Sequence, residues 1–550
     1  MGTEEVTQSD IRDWLTVQVA NILKCPPEDV GFEESFTRLG LDSLSLIMLT
    51  GNFAAWLGRD LPATLLLEHP SIEEVSEVLT RPMSCELELQ PLLSDRDQPF
   101  PATLAQERLL KHANLPPLRD PNLVNPRFEI HGSLDMEALR KALAELVCRH
   151  EILRTTFGLQ EGAFVQFVHS EGPVLVEEVD WTLDAPALSE EEILVRARRL
   201  VVEPMDIGIL PLFRVLVIKV AEENHRLMFV LHHLLCDADA LCVFFEELGR
   251  VYAAFRNGFP PALEPLNWQI ADFAIWERDW LRVGGEPYQE RLAWWRRYWQ
   301  SPPETPPLPF VLKEPLSDVP ARACTLDVPI ASEIGRQADL LARQTSATLF
   351  TVFLAAFASY LCSRVRQEEL ILGTYVSDRK RAAAGRLLGM FVSMVPMRVR
   401  IAPGITFRAL VIQLRKERDQ IALYRELPFE DVLHHLQENG EAMPEVQVVF
   451  QHLRLPGDFV HLEGTESKSW LEHGQRLETT GLSFSTVKGE QDLEAWASFD
   501  GKLYDPEEVG AFLKGYVEHV GTLVNDPEQH LMLQDDRSDG HGWKTLFGPG

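Results

Sequence analysis

Two adjacent histidines, His232 and His233, are followed four residues after the second by Asp237. The imidazole pKa lies near neutrality, so a ring beside a reacting group can accept or relay a proton, and a nearby carboxylate can fix a cation or a turn in place. The spacing speaks against a metal: side chains alternate faces along a strand, so adjacent histidines do not converge on one ion, and no Cys or His at ligand spacing accompanies them. A hydrogen-bonded core cluster is the plainer alternative for such a pair.

The surrounding pattern places the pair. Arg226 to His232 is dominated by apolar and β-branched residues and reads as a strand, paired to Phe213–Val220 through a polar turn at Glu222–His225. Asp237 and Asp239 offer caps to a helix with Leu241, Phe244, Phe245, Leu248, Val251 and Tyr252 on one face. The histidines thus lie at a strand-to-helix corner, one ring in packing and the other facing whatever space the corner borders.

A second chemical candidate is Ser43 in Leu39-Gly40-Leu41-Asp42-Ser43-Leu44, at the first turn of a helix continued by Leu46, Ile47, Leu49, Phe53 and Leu57. A hydroxyl there is exposed, and a phosphodiester attached to it meets free backbone N–H groups and the positive end of the helix dipole; a plain capping serine has the same position. Ser9-Asp10 caps an earlier helix through Ile11, Trp14, Leu15, Val19, Ile22 and Leu23, stopped by Pro26-Pro27. Pro62–Leu67 reads as a short third helix, and His69-Pro70-Ser71 opens a fourth that ends near Leu79. Residues 1–80 hold 4 basic and 14 acidic side chains, a net −10 that suits docking to basic patches or simply a solvated face.

At 550 residues the chain exceeds one ordinary core, and 45% hydrophobic content suffices for several. With 83 acidic against 52 basic residues, the net charge of −31 argues against nucleic-acid or anionic-membrane binding. Seven cysteines without CxxC spacing and no secretory pattern at the N-terminus fit a cytoplasmic protein with reduced thiols. Leu349–Leu361 is the most apolar run, too short for a bilayer and read as a buried helix. Arg81–Pro101 is rich in proline and mixed charge and reads as a linker. A proline-rich stretch at Ser301–Pro320 divides the remainder of the chain. Beyond it the pattern predicts helices at Ser332–Gln344, Ala347–Arg364, Phe407–Tyr424 and Pro506–Val524, with strands at Leu370–Val376, Val446–Phe450, Leu482–Val487 and Leu493–Phe499.

The motif His-His-x-x-x-Asp plus a small residue resembles that of nonribosomal peptide synthetase condensation domains, relatives of chloramphenicol acetyltransferase. Further segments carry the same resemblance: Thr103-Leu104-Ala105-Gln106-Glu107-Arg108-Leu109, then Arg149-His150-Glu151-Ile152-Leu153-Arg154-Thr155-Thr156-Phe157. Asp272-Phe273-Ala274-Ile275-Trp276, Gly389-Met390-Phe391-Val392 through Arg398, and Leu427-Pro428-Phe429-Glu430 follow. Read singly, Arg149 with Glu151 is an ordinary ion pair and the tryptophans from Trp276 to Trp299 an aromatic helix face. The first eighty residues resemble an acyl or peptidyl carrier protein, with wording closer to polyketide-type carriers.

The resemblance implies a small all-α four-helix carrier domain over 1–80 and a linker over 81–101. After these come an α/β condensation domain of two acetyltransferase-like lobes in a V, 102–300 and 301–534, and a disordered tail over 535–550. It implies 4′-phosphopantetheine attached at Ser43 beside Asp42, and His233 as the base or positioning residue. His232 is then structural, Asp237 holds the corner by pairing with an arginine, for which Arg379 is the candidate, and Arg149, His150, Glu151 and Arg154 are structural motif residues. The carrier would donate its acyl chain, polyketide or peptidyl, to an amine or hydroxyl, giving an amide or a chain-releasing ester. Implied partners are a phosphopantetheinyl transferase, an upstream synthase or loading enzyme in trans, and an acceptor small molecule or acceptor carrier. Ala238 replaces the usual glycine, Ser393 stands where asparagine is usual, and the seventh motif is faint around Met443-Pro444-Glu445-Val446. Ala238 either narrows the tunnel or marks a backbone that does not need positive φ. Alternatives are a non-catalytic platform that recruits carriers or other partners, and an epimerisation domain.

Overall fold

The computed structural model describes residues 7–531, excepting 24, 28–29, 33, 35, 37–38, 40, 42–48, 51–52, 54–55, 58–64, 69–70, 81–95, 113–118, 121, 202–204, 313–322, 378, 380–384, 455–459, 470–481 and 489–492. Asp42, Ser43, most of the expected linker and the expected tail lie outside the described residues.

In the carrier region α1 spans Gln8–Leu23. It starts one residue before Ser9, and Thr7 rather than Ser9 closes it: Thr7 N–H donates to Asp10 Oδ2 (2.8 Å) while Asp10 N–H donates to Thr7 Oγ1 (3.3 Å), a reciprocal cap that satisfies two otherwise orphaned donors. Ser71 Oγ accepts from Glu74 N–H (3.2 Å) and opens α2, Ile72–Thr80. Ile11, Leu15 and Val19 of α1 pack with Phe36, Leu41, Phe53, Leu66 and Val75 in one core. Leu41 and Leu49, both buried, anchor the chain on either side of the segment that carries Ser43.

The first lobe follows α3, Leu104–His112. Its sheet is built from β1 (Leu123–Val124), β2 (Arg127–Gly132), β5 (Val176–Asp180), β6 (Phe213–Ala221) and β7 (Asn224–His232). A hairpin of β3 (Thr155–Gln160) and β4 (Ala163–Val168) lies in a separate three-stranded sheet. β6 and β7 pair antiparallel through the two-residue turn Glu222–Glu223, shorter than the expected Glu222–His225 because Asn224 and His225 already pair, with Leu231 opposite Phe213, so β7 runs down the middle of its sheet between β6 and β2. Helix α4 (Met136–Arg149) packs on α5 (Ala238–Arg256). Phe128 of β2, Phe229 of β7 and Phe244 and Phe245 of α5 meet edge-to-face with centroids 5.0–6.3 Å apart, each pair contributing roughly 0.5–1.5 kcal/mol beyond area burial. Helices α6 (Ile270–Trp280) and α7 (Glu286–Tyr298) lead to the second lobe.

There β8 (Ala323–Ile330), α8 (Ser332–Gln344), α9 (Leu349–Val365), β9 (Glu369–Ser377), β10 (Val392–Arg400), α10 (Phe407–Ile421) and β11 (Val449–Arg454) are followed by β12 (Thr465–Ser469), β13 (Leu482–Lys488), β14 (Leu493–Asp500) and α11 (Pro506–Asn525). The sheet order is β8-β14-β13-β11-β9-β10. Helix α9 is the apolar run singled out in the sequence; Val352 through Ala358 are all buried in the second-lobe core. Among the described residues, no single helix is long and apolar enough to cross a membrane.

The described residues form two six-stranded sheets and two lobe cores, but the division at Ser301–Pro320 does not partition them cleanly. Strand β12 crosses back and pairs antiparallel with β2 at the edge of the first-lobe sheet. Leu387, Leu388, Met390, Phe391, Val460 and Leu462 sit in the first-lobe core. A short polar strand such as Thr465–Ser469 has no apolar period to betray it, so periodicity missed this exchange.

Candidate catalytic corner

β7 ends at His232, and His233–Leu235 forms a single 3-10 turn before α5. Three hydrogen bonds fix the turn. His233 N–H donates to Asn122 C=O (2.8 Å), Leu234 N–H to His232 Nδ1 (3.1 Å), and the buried Gln106 amide donates to Leu234 C=O (3.3 Å). His232 is fully buried and His233 partly exposed. His233 Nδ1 lies 2.8 Å from Cys236 C=O. A carbonyl only accepts, so Nδ1 carries the proton and the Nε2 lone pair is left for another donor. Burial pushes the His233 pKa below its ordinary value, against the opposing pull of the Cys236 carbonyl, which keeps the ring neutral at physiological pH.

Asp237, buried, does three things. Its Oδ1 caps α5 by accepting from Ala240 N–H (2.8 Å), Oδ1 also accepts from Arg379 Nη2 (2.9 Å), and Oδ2 accepts from Phe391 N–H (3.0 Å). Arg379 in turn donates to Leu387 and Gly389 carbonyls, with its guanidinium 4.2 Å from the Phe391 ring centroid. A buried carboxylate needs such compensation. The corner therefore joins the first lobe to the segment Arg379–Phe391 of the second. Gly389 has φ +147°, a backbone conformation that L side chains rarely adopt, and a Cβ there would also displace the end of the Ile270 side chain, 1.9 Å away, so the backbone favours glycine. Ala238 is the exposed first residue of α5 and is not among the described residues with positive φ. The backbone at this position therefore does not call for glycine. Ser393 lies in β10 opposite Val376.

Arg149 and Glu151 are not paired with each other. Arg149 Nε donates to Glu247 (3.0 Å), and His150 Nε2 lies 2.7 Å from the same carboxylate, which also receives Arg386 Nη2 (3.0 Å). Glu247 is completely buried on α5. Burial alone would raise its pKa, but the hydrogen bonds from His150 and Arg149 hold it down at about 2. Burial pushes His150 down. Glu151 instead accepts from Arg96 Nε (3.1 Å), with Arg154 3.9 Å away. Sequence reasoning missed Glu247, Arg386 and Arg96. A legible signal existed for the first: Glu247 falls on the apolar stripe between Phe244, Leu248 and Val251, where a charge requires partners.

Condensation domain is the family whose pattern matches residues 97–535, and a phosphopantetheine attachment site matches residues 13–79. The chain belongs to the condensation domain family. A linear gramicidin synthase of Brevibacillus parabrevis is 30% identical over 516 residues, covering 92% of this chain and 10% of that protein. Gramicidin S synthase 2 of Brevibacillus brevis is 24% identical over 520 residues, 91% of this chain and 11% of its own length. The chain thus spans about a tenth of the length of these relatives.

Among solved structures, the condensation domain from the Monacolin K polyketide synthase MokA superposes with a TM-score of 0.66 at 20% identity, covering 79% of this chain and 99% of that one. The X-domain in complex with OxyB from teicoplanin biosynthesis gives 0.67 at 23%, covering 82% and 98%; both likenesses are of fold. Condensation domains of nonribosomal peptide synthetases are acyltransferases that form amide bonds, and the cofactor of the carrier region is 4′-phosphopantetheine. Leu41 and Leu49, the described residues on either side of 42–48, are both buried in the carrier core within the matched stretch.

Proposed function

We propose that the chain transfers an acyl group, polyketide or peptidyl, from phosphopantetheine at Ser43 to an amine or hydroxyl acceptor, forming an amide or an ester, with His233 as the base or positioning residue. The bound arm supplies an acyl thioester, an activated carbonyl that needs no further activation. What remains for the protein is to align the nucleophile and take its proton. His233 Nε2 accepts that proton as the amine or hydroxyl adds, and returns it to the leaving sulfur. The single observation that carries the reading is the Nδ1 contact to Cys236 C=O, which sets the tautomer and leaves Nε2 basic. His232, with Nδ1 occupied by Leu234 N–H, braces the turn, while Asp237 and Arg379 hold the corner against the second lobe. The acyl chain arrives through a loading enzyme in trans after a phosphopantetheinyl transferase has modified Ser43, and the acceptor is a free small molecule or a second carrier.

The test loads Ser43 with synthetic acyl-phosphopantetheine and follows the intact mass with a panel of amines, alcohols and acceptor carriers. Acyl loss tied to one acceptor, with its conjugate appearing, and at least about 100-fold slower transfer in His233→Ala is the expected outcome. Loss at equal rates in wild type and mutant sinks the assignment.

A further inference from the structure

Arg96 stands one residue upstream of the segment that matches the condensation family, yet it is bound to that domain more firmly than an ordinary surface residue. Its Nη1 and Nη2 donate to the two oxygens of Asp272 (2.8 Å each) and its Nε to Glu151 (3.1 Å). The fork matches the carboxylate plane, the geometry in which arginine is strongest. Both acceptors are buried, the Asp272 side chain 3% and the Glu151 side chain 11% exposed. Glu151 Oε2 is buried with no hydrogen-bond partner among the described residues, and burial raises this carboxyl's pKa. Two carboxylates face one another in a socket that a cation must fill.

The socket leads to the catalytic corner. Asp272 Oδ2 also accepts from Gln269 N–H (2.9 Å), closing the first turn of α6. The next residue, Phe273, packs edge-on against Phe391 with centroids 4.9 Å apart, and Phe391 N–H is the group that holds Asp237 Oδ2. We propose that Arg96 is a positioning residue whose guanidinium, seated between Glu151 and Asp272, sets α6 and through Phe273 and Phe391 the placement of Asp237 beside the His233 turn. The end of the carrier linker is thereby part of the machinery that shapes the corner. Arg96→Ala takes the forked guanidinium from Asp272 and leaves Glu151 only the more distant Arg154, 3.9 Å away, and α6 relaxes to let water reach the two carboxylates.

The kinetic arm of the test rests on the transfer reaction proposed above; the exchange arm does not. In full-length protein, hydrogen–deuterium exchange of peptides covering 387–392 and 270–276 is expected to quicken by about tenfold in Arg96→Ala, with β13 and β14 unchanged. Arg96→Lys, a point charge without the fork, falls between. Arg96→Ala/Glu151→Gln removes one of the opposed charges and restores much of the protection, which loss of a mere surface contact would not allow. Acyl transfer from Ser43 falls by about tenfold in kcat with acceptor KM unchanged. Unaltered exchange at 387–392, or no rescue by Glu151→Gln, overturns the proposal. If Arg96→Ala does not fold, the lysine and double variants still decide it. Exchange that behaves as expected in a protein transferring nothing to any acceptor would count against the transfer reaction and leave the socket standing.

Discussion

The base we propose, His233, has its tautomer fixed by a carbonyl and its pKa lowered by burial. A base with a lowered pKa is active above that value and lost as the ring protonates below it. The transfer rate is therefore expected to be flat through neutral pH and to fall on acidification with a midpoint below 6.5; a pH series on loaded protein checks this, and a midpoint above 6.5 removes His233 as the titrating group. Asp237 and Arg379 are mutually dependent. Arg379→Ala leaves Asp237 buried with two backbone and cap contacts but no countercharge, a loss on the order of 3–5 kcal/mol, visible as a lower midpoint in thermal melting. Ala238 sits at the first helical position with ordinary φ, so Ala238→Gly relieves nothing there and costs up to about 1 kcal/mol by helix propensity, measurable by the same melts.

Helix α5 is the element through which both halves of the site are held. Its N-terminus is capped by Asp237, and its middle carries Glu247, on which Arg149 and His150 of the first lobe and Arg386 of the second converge. Since the Glu247 pKa in the folded protein, about 2, lies below its ordinary 4.5, its contribution is complete above pH 4.5 and is lost as pH falls toward 2. Glu247→Gln removes the charge at any pH and takes the shared countercharge from Arg149 and Arg386. The expected result is destabilisation by a few kcal/mol at pH 7, with wild type and mutant converging near pH 2 to 3 in urea melts; a constant gap across that range would show that the charge is not what matters. The helix itself was plain in the sequence from its apolar stripe, as were the strand before it and the cap between them, because period and capping are local signals. The hub was not, because its partners lie 97, 98 and 139 residues away along the chain. The same reason led sequence reasoning to join Arg149 to its near neighbour Glu151, when the fold sends one to Glu247 and the other to Arg96. Arg379 was legible only because a buried aspartate demands a cation and the motif resemblance narrowed the candidates.

At the scale of the molecule, the lobes are bolted together by chain that crosses between them, and one close crossing is where the segment leading to β12 passes over α5. A Cβ on Gly249 would lie 2.6 Å from the His461 carbonyl oxygen, a clash between two backbones that no rotamer change relieves. Val460 and Leu462, on either side of that carbonyl, are buried in the first-lobe core, and Asn257 near the end of α5 donates to Glu463. This segment is thus held along α5 over about two turns, from Gly249 to Asn257, before it adds to the sheet beside β2. Gly249→Ala must push 460–463 outward, and because β12 is joined to β2 by only five residue pairs, the edge strand has little to resist with. Exchange of the 465–469 amides is expected to rise about tenfold and the melting midpoint to fall. Gly510→Ala in α11 is the matched control. Its Cβ would meet Leu326 Cδ1 at 3.5 Å, an ordinary contact, so the helix gains roughly 0.5–1 kcal/mol from the lost glycine. Opposite signs for the same substitution in two helices would locate the interlobe constraint on α5; a neutral Gly249→Ala would mean that the helix, not the segment over it, gives way.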